Sequence, residues 1–231
     1  MKHLIKRLLR EGLTGNDNFG YRAGDITSRK PEQRNKFSNG GRDTGHFGTG
    51  YYFMGTLDKA KKYAKGESRV ITKIPLDGYK LAKGTLELHE ILKDINNYDL
   101  GASKDDDKLK NSLISLLNYF NLMEKADCSE WLNYEPKYPI RNNRDYENAT
   151  EEYLEKADEE TAYIDTLRRK CSQEKKRVME PVDKLIKLLD DNKTSEDSPS
   201  TLVMKALGYD GVDSRNTELD NGVYGSVIYD I

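Results

Sequence analysis

Two cysteines and one tryptophan are all that 231 residues carry, and no run of about 18 apolar residues is present to span a bilayer. Cys128 and Cys171 stand far apart without metal-ligand spacing, so a reduced pair is expected, with no structural staple and a reducing compartment. The N-terminus lacks the continuous apolar core and small-residue cleavage site of a secretory signal, which makes a cytoplasmic location the expectation. His3, His46 and His89 are the three histidines; none has companions at ligand spacing, and no metal is expected. An excess of either charge is also missing. With 38 basic and 40 acidic residues the formal net charge is −2, so no global field favours nucleic acid or an anionic membrane. No Gly-x-x-x-x-Gly-Lys loop or Gly-x-Ser-x-Gly elbow occurs, which removes support for P-loop hydrolysis and the common serine-hydrolase arrangement.

What is present is charge and helical periodicity. Charged residues make up 34% and hydrophobic ones 35%, a thin apolar supply that fits one domain with a solvated insertion. "MKHLIKRLLREGL" sets Leu4, Ile5, Leu8 and Leu9 against Lys2, Lys6, Arg7 and Arg10, an amphipathic helix over 1–13 that either packs on the domain or docks a partner or membrane surface. "NFGYRAGDI", "GYYFM" and "SRVITKIPL" read as strands, and residues 27–45 between the first two as a long polar loop. "TLDKAKKYAK" reads as a helix capped by Thr56.

Residues 85–98 and 107–124 carry helical spacing, whereas 126–148 is irregular. Leu154, Ala157, Ile164, Leu167, Cys171 and Val178 mark one long amphipathic helix, which Pro181 should restart or kink. A polar linker then leads to the helix "TLVMKALG" and two closing strands, "YDGVDSR" and "YGSVIYDI". The fold class is α+β: a first core part over 14–100, a helical insertion over 101–197 and a closing core part over 198–231.

The chemistry concentrates in "HFGTGYYFMGTLDKAKKYAKG", residues 46–66. Glycine lets backbone approach a flat ligand closely, and tyrosine faces offer stacking area. Gly48 and Gly50 shape the strand entry, and Tyr63 on the following helix could return over the cleft beside Tyr52. Ordinary core packing explains the same composition.

"HFGTGYYF" followed by "KAKKY" resembles the ADP-ribosyltransferases, in which a Phe-Gly-x-Gly-x-Tyr-Phe strand precedes a helix carrying a second tyrosine. The resemblance extends to "YRAGD", where Arg22 stands for the arginine or histidine of the family's first strand and Ala23 replaces its usual glycine. It extends also to "ALGYDGVDSR" and "YGSVIYDI", similar to the closing part of bacterial and phage members. It covers about residues 18–80 and 200–231 and leaves the helical middle unexplained. It implies a split β-sheet core, NAD as substrate, Tyr52 as the strand tyrosine and Tyr63 as the ring stacked on nicotinamide. Arg22, Ala23, Gly24, Gly50, Tyr52, Phe53 and Tyr63 would then contact NAD, with Arg22 and Tyr52 serving the reaction.

The sequence departs from the family in two places. Laying "VIY" on the final hydrophobic triplet puts Gly225 or its neighbour where the family has its catalytic glutamate, and Ala60 falls where a serine often holds the carboxamide. Glu218 and Asp220 in the preceding turn, or Asp213 on the facing strand, are the acids that could substitute. An acid is wanted because cleaving the nicotinamide–ribose bond develops oxocarbenium character. Three functions stay open: a mono-ADP-ribosyltransferase whose helical middle selects a protein target, an NAD- or ADP-ribose-binding module without turnover, and an interaction protein such as a virion component. For Arg22 a surface salt bridge, and for His46 a plain loop position, compete with ligand roles.

Overall fold

The computed structural model describes residues 18–23, 43–45, 47–63, 71–97, 106–140, 143–215, 217, 219 and 225–230. The expected N-terminal helix over 1–13, His46, Gly24, Glu218 and Asp220 lie outside the described residues, as does the side chain of Tyr63. The chain divides into two units, one built from residues up to 120 and from 185 onward, the other from residues 121–184.

In the first unit, strands β1 (Phe19–Ala23), β2 (Asp43–Gly45), β3 (Gly48–Phe53), β4 (Ile71–Pro75), β5 (Leu81–Lys83), β6 (Gly211–Asp213) and β7 (Ser226–Ile228) form two sheets. β1 pairs antiparallel with β4, and a five-stranded sheet runs in the order β2-β3-β7-β6-β5 with only β5 and β6 parallel. The closing strands therefore enter the middle of the sheet that the first half of the chain begins. That is the mixed α+β class read from the sequence, with β-rich segments from both ends assembled together.

Hydrogen bonds join the small sheet to the large one and its flank. Tyr21 and Met54 exchange backbone hydrogen bonds of 3.0 and 2.7 Å. The Arg22 guanidinium donates to the Tyr52 carbonyl at 3.1 Å, and Arg215 donates to the Phe19 carbonyl at 3.3 Å. Beside the junction, Phe53, Leu76 and Ile228 form a buried cluster against which Tyr51, Ile74, Tyr79 and Leu81 pack.

On β3, α1 (Leu57–Tyr63) follows at once, and the expected Thr56 cap is present, its Oγ1 accepting from Lys59 N at 3.3 Å. α2 (Leu86–Asn96) is capped by Thr85 and buries Leu88, Leu92 and Ile95. α3 (Asp106–Tyr119) buries Leu109, Leu113, Leu116 and Leu117, each fully buried leucine contributing about 1.5–3 kcal/mol. α7 (Pro199–Ala206) carries Pro199 in its first turn and buries Val203 and Met204. α3 folds with the first unit although it falls within the insertion expected over 101–197.

The second unit holds α4 (Ser129–Leu132), α5 (Asn143–Asn148) and the first part of α6 (Glu151–Asp191). Two expectations fail here. Cys128 and Cys171 form a disulfide, their Cα atoms 5.0 Å apart, so the expected reduced pair is a staple and the argument it supplied for a reducing compartment falls. Of the restart or kink expected at Pro181, the restart does not occur: α6 runs on through that residue. Pro181 is solvent-exposed, so water reaches the carbonyl that loses its intrahelical partner.

Segment 121–140 has little regular structure and is tied to α6 by polar groups. The carboxylate of Glu160, buried at 9% exposure, accepts from the Tyr134 hydroxyl and from the backbone N–H groups of Lys137 and Tyr138, all at 2.7 Å. The Lys137 N–H holds this carboxyl below the usual 4.5; burial opposes it, and the Tyr138 N–H and Tyr134 hydroxyl reinforce it. Because the folded pKa is lowered, this group's stabilisation is complete above 4.5 and disappears as pH falls through the depressed folded value. Glu160→Gln should therefore lower the midpoint of unit 2 unfolding at pH 7, since one amide cannot accept from both sides of the old carboxylate. The difference from the parent should vanish in acid, as followed by amide exchange in residues 132–138.

Candidate functional site

The glycine-rich turn into β3 is bound from several sides. Gly48 has φ of 103°, a left-handed conformation that favours glycine, and a Cβ there would strike the hydroxyls of Ser200 and Thr201. Gly50 faces β7 so closely that a Cβ would lie 2.7 Å from the Ile228 carbonyl oxygen. α7 docks on the same turn: Thr201 Oγ1 and Ser198 Oγ accept from Thr49 N at 2.7 and 3.1 Å, and Thr49 Oγ1 accepts from Ser198 N at 3.1 Å.

Tyrosine hydroxyls complete the grip. Tyr52 donates to the Gly48 carbonyl at 2.7 Å and accepts from Phe47 N at 3.0 Å. Tyr229, fully buried, donates to the Phe47 carbonyl at 3.2 Å. Burial first, and the nearby Tyr52 second, push the Tyr229 hydroxyl well above the usual tyrosine range. It remains a neutral donor at physiological pH.

Alternation along β3 separates its two tyrosines. Tyr51 packs with the Phe53 and Ile228 cluster, whereas the half-buried Tyr52 points to the opposite face, against Gly45. Arg22 is 4% exposed, and its guanidinium carbon lies 5.9 Å from the centre of the Tyr51 ring. The cation thus reaches the Tyr52 backbone, and the ring beside it is that of Tyr51. This juxtaposition of β1 and β3 is what the two motif segments "YRAG" and "GTGYYF" have in common.

The remaining expected residues are distributed as follows. Phe53 is 1% exposed and Ala60 is fully buried, so both are core. Ala23 ends β1 opposite Ile71, and Tyr63 closes α1. Asp213 is held by Arg215 in a two-pronged pair, both contacts 2.8 Å, a geometry that commits its carboxylate. Ser226 sits across from Phe53 on β7. Its hydroxyl is buried and has no hydrogen-bond partner among the described residues. His89, on α2, packs edge-on against Phe47 with ring centres 5.9 Å apart.

Sequence reading missed Tyr51, Thr201, Arg215 and Tyr229. The doubled tyrosine of "GYYF" and the terminal "VIYDI" carried a signal for two of them, since alternation alone puts neighbouring residues on opposite faces. No group of histidine, cysteine or carboxylate side chains that could hold a metal occurs among the described residues. No helix among them is long and apolar enough to cross a membrane. Comparison with family models, curated proteins and solved structures finds no match to this chain.

Proposed function

We propose that the chain is an NAD-dependent mono-ADP-ribosyltransferase that modifies a protein target. The observation that carries this reading is the contact between Arg22 and the Tyr52 carbonyl at 3.1 Å, because it joins two segments that resemble consecutive elements of an NAD cleft. In the reaction the nicotinamide–ribose bond breaks, its electron pair leaves with nicotinamide, and an acceptor nucleophile takes the ribose carbon and loses its proton. The Arg22 fork suits the pyrophosphate of the dinucleotide. Of the candidate acids, Asp213 is committed to Arg215, which leaves Glu218 or Asp220 to serve the ribose. The helical unit over 121–184 would choose the target.

A second reading, an NAD- or ADP-ribose-binding module without turnover, is favoured by one observation: Gly225, just before β7, and Ser226, its first residue, stand where an acid is wanted. Incubating the full chain with NAD labelled in the adenylate half separates the two. Nicotinamide release with label on protein is the expected result; saturable binding without release supports the module. No shift in melting temperature at millimolar NAD overturns both.

A further inference from the structure

The second unit contains a groove beside its disulfide. It encloses about 460 Å³ and is lined by Asp127, Ser129, Trp131, Leu167, Lys170 and both sulfur-bearing residues, Cys128 and Cys171. Cys128 and Cys171 are 8% and 6% exposed, and the groove they line brings solvent to what remains of their surface; exchange needs approach to one sulfur and not unfolding.

Among the described residues of this unit the buried apolar side chains are Cys128, Ala157, Leu167, Cys171 and Val182, a small supply for an independent core. Beyond these, residues 121–140 meet α6 through the Glu160 carboxylate with its three donors, through two edge-on tyrosine pairs, Tyr134 with Tyr163 and Tyr138 with Tyr153, each with ring centres 5.4 Å apart, and through a rim of exposed pairs. In that rim Lys170 meets Glu130 at 3.9 Å, Arg177 meets Glu124, and Arg168 lies 5.5 Å from the centre of the Trp131 ring. Exposed pairs of this kind contribute little.

We propose that Cys128–Cys171 is a thiol-exchange site, reached through the groove beside it, whose reduction frees residues 121–140 from α6 while the strand unit stays folded. The co-reactant is a thiol, either a small molecule or a protein dithiol. Its thiolate attacks one sulfur, the S–S bond breaks with its electron pair on the other, and a mixed disulfide forms. A second thiolate displaces the attached one, giving two cysteine thiols and the oxidised reductant. The inference does not depend on the proposed transferase activity.

The test uses the full chain and dithiothreitol in native buffer. Reduction, followed by mass spectrometry after alkylation, should proceed at a rate proportional to thiol concentration. In the reduced protein the bonded amides of Leu132, Asn133, Lys137 and Tyr138 should lose protection from hydrogen exchange by about 30- to 1,000-fold, the factor to which a usual disulfide contribution converts. The amides of α2 should be unchanged. The Cys128→Ser/Cys171→Ser protein should match the reduced parent without any thiol. A rate independent of thiol concentration would mean that the bond is reached only by global unfolding, and would overturn the proposal. So would unchanged protection after reduction, loss of α2 protection along with the segment, or two free thiols in protein purified without reductant.

Discussion

Replacing Arg22 by alanine is expected to lower kcat/KM for nicotinamide release from NAD about 100-fold, and replacing it by lysine to recover only part of that loss. Arg22 is 4% exposed and its guanidinium reaches from β1 to the Tyr52 carbonyl of β3, where a fixed charge interacts with a charged ligand through little water. Loss of one preorganised donor from such a place typically costs a factor of about 10² to 10³. Lysine keeps the charge but loses the planar fork, so an effect of geometry shows as the difference between the two variants. Because Arg22 also holds the Tyr52 carbonyl at 3.1 Å, both variants will be less stable than the parent. Rates therefore belong at a temperature well below every melting transition. A contact to the pyrophosphate should raise KM for NAD more than it lowers kcat. Parental kinetics in both variants would remove Arg22 from the site; if the parent only binds NAD, the same comparison is read as a loss of affinity.

Phe53→Ala is expected to cost about 3–5 kcal/mol of stability, the usual range for emptying a buried aromatic position. Three strands converge on this ring. It packs with Leu76 and Ile228, its residue pairs with Ser226 of β7, and a Cβ added at Gly20 of β1 would lie 2.8 Å from it. With hydrophobic residues at only 35% of the chain, there is little nearby to collapse into the space. Phe53→Leu keeps part of the volume and should cost less than half as much. Urea unfolding checks both, and an alanine loss below about 1 kcal/mol would show that the sheet junction is held elsewhere. Any effect of Phe53 on NAD turnover should then track stability, since the residue is 1% exposed.

Much of this architecture was legible one segment at a time. β1, β3, β4 and the closing strands stand where β-branched and aromatic residues gather, and α2 begins at Thr85 because its side chain accepts from Leu88 N. β2 and β5 were not legible. Each is three residues long, β2 within a stretch read as polar loop, and such strands exist because a neighbour offers an edge to pair with. Pro181 misled for a related reason: its rule concerns an isolated helix, and burial of Val182, Leu185 and Leu189 keeps this one continuous.

For the site, the motif segments were readable but their facing was not. "GTGYYF" announces two adjacent tyrosines; which of them shares a face with Arg22 depends on how β1 and β3 meet across a sequence separation of 30. Glu160 looked like one more charge on a solvated helix until segment 134–138 folded back to give it three donors.

The amino-acid sequence by itself determined the local elements, the α+β class and the position of the glycine-tyrosine motif, because periodicity, capping and backbone freedom act over a few residues. Only the tertiary structure decided that Cys128 meets Cys171 across 43 residues, that Asp213 is spent on Arg215, and that Tyr51 lies beside the buried cation. Each of those outcomes depends on which chain segments close upon one another, and the gain from that closure is shared among contacts that no short stretch of sequence contains.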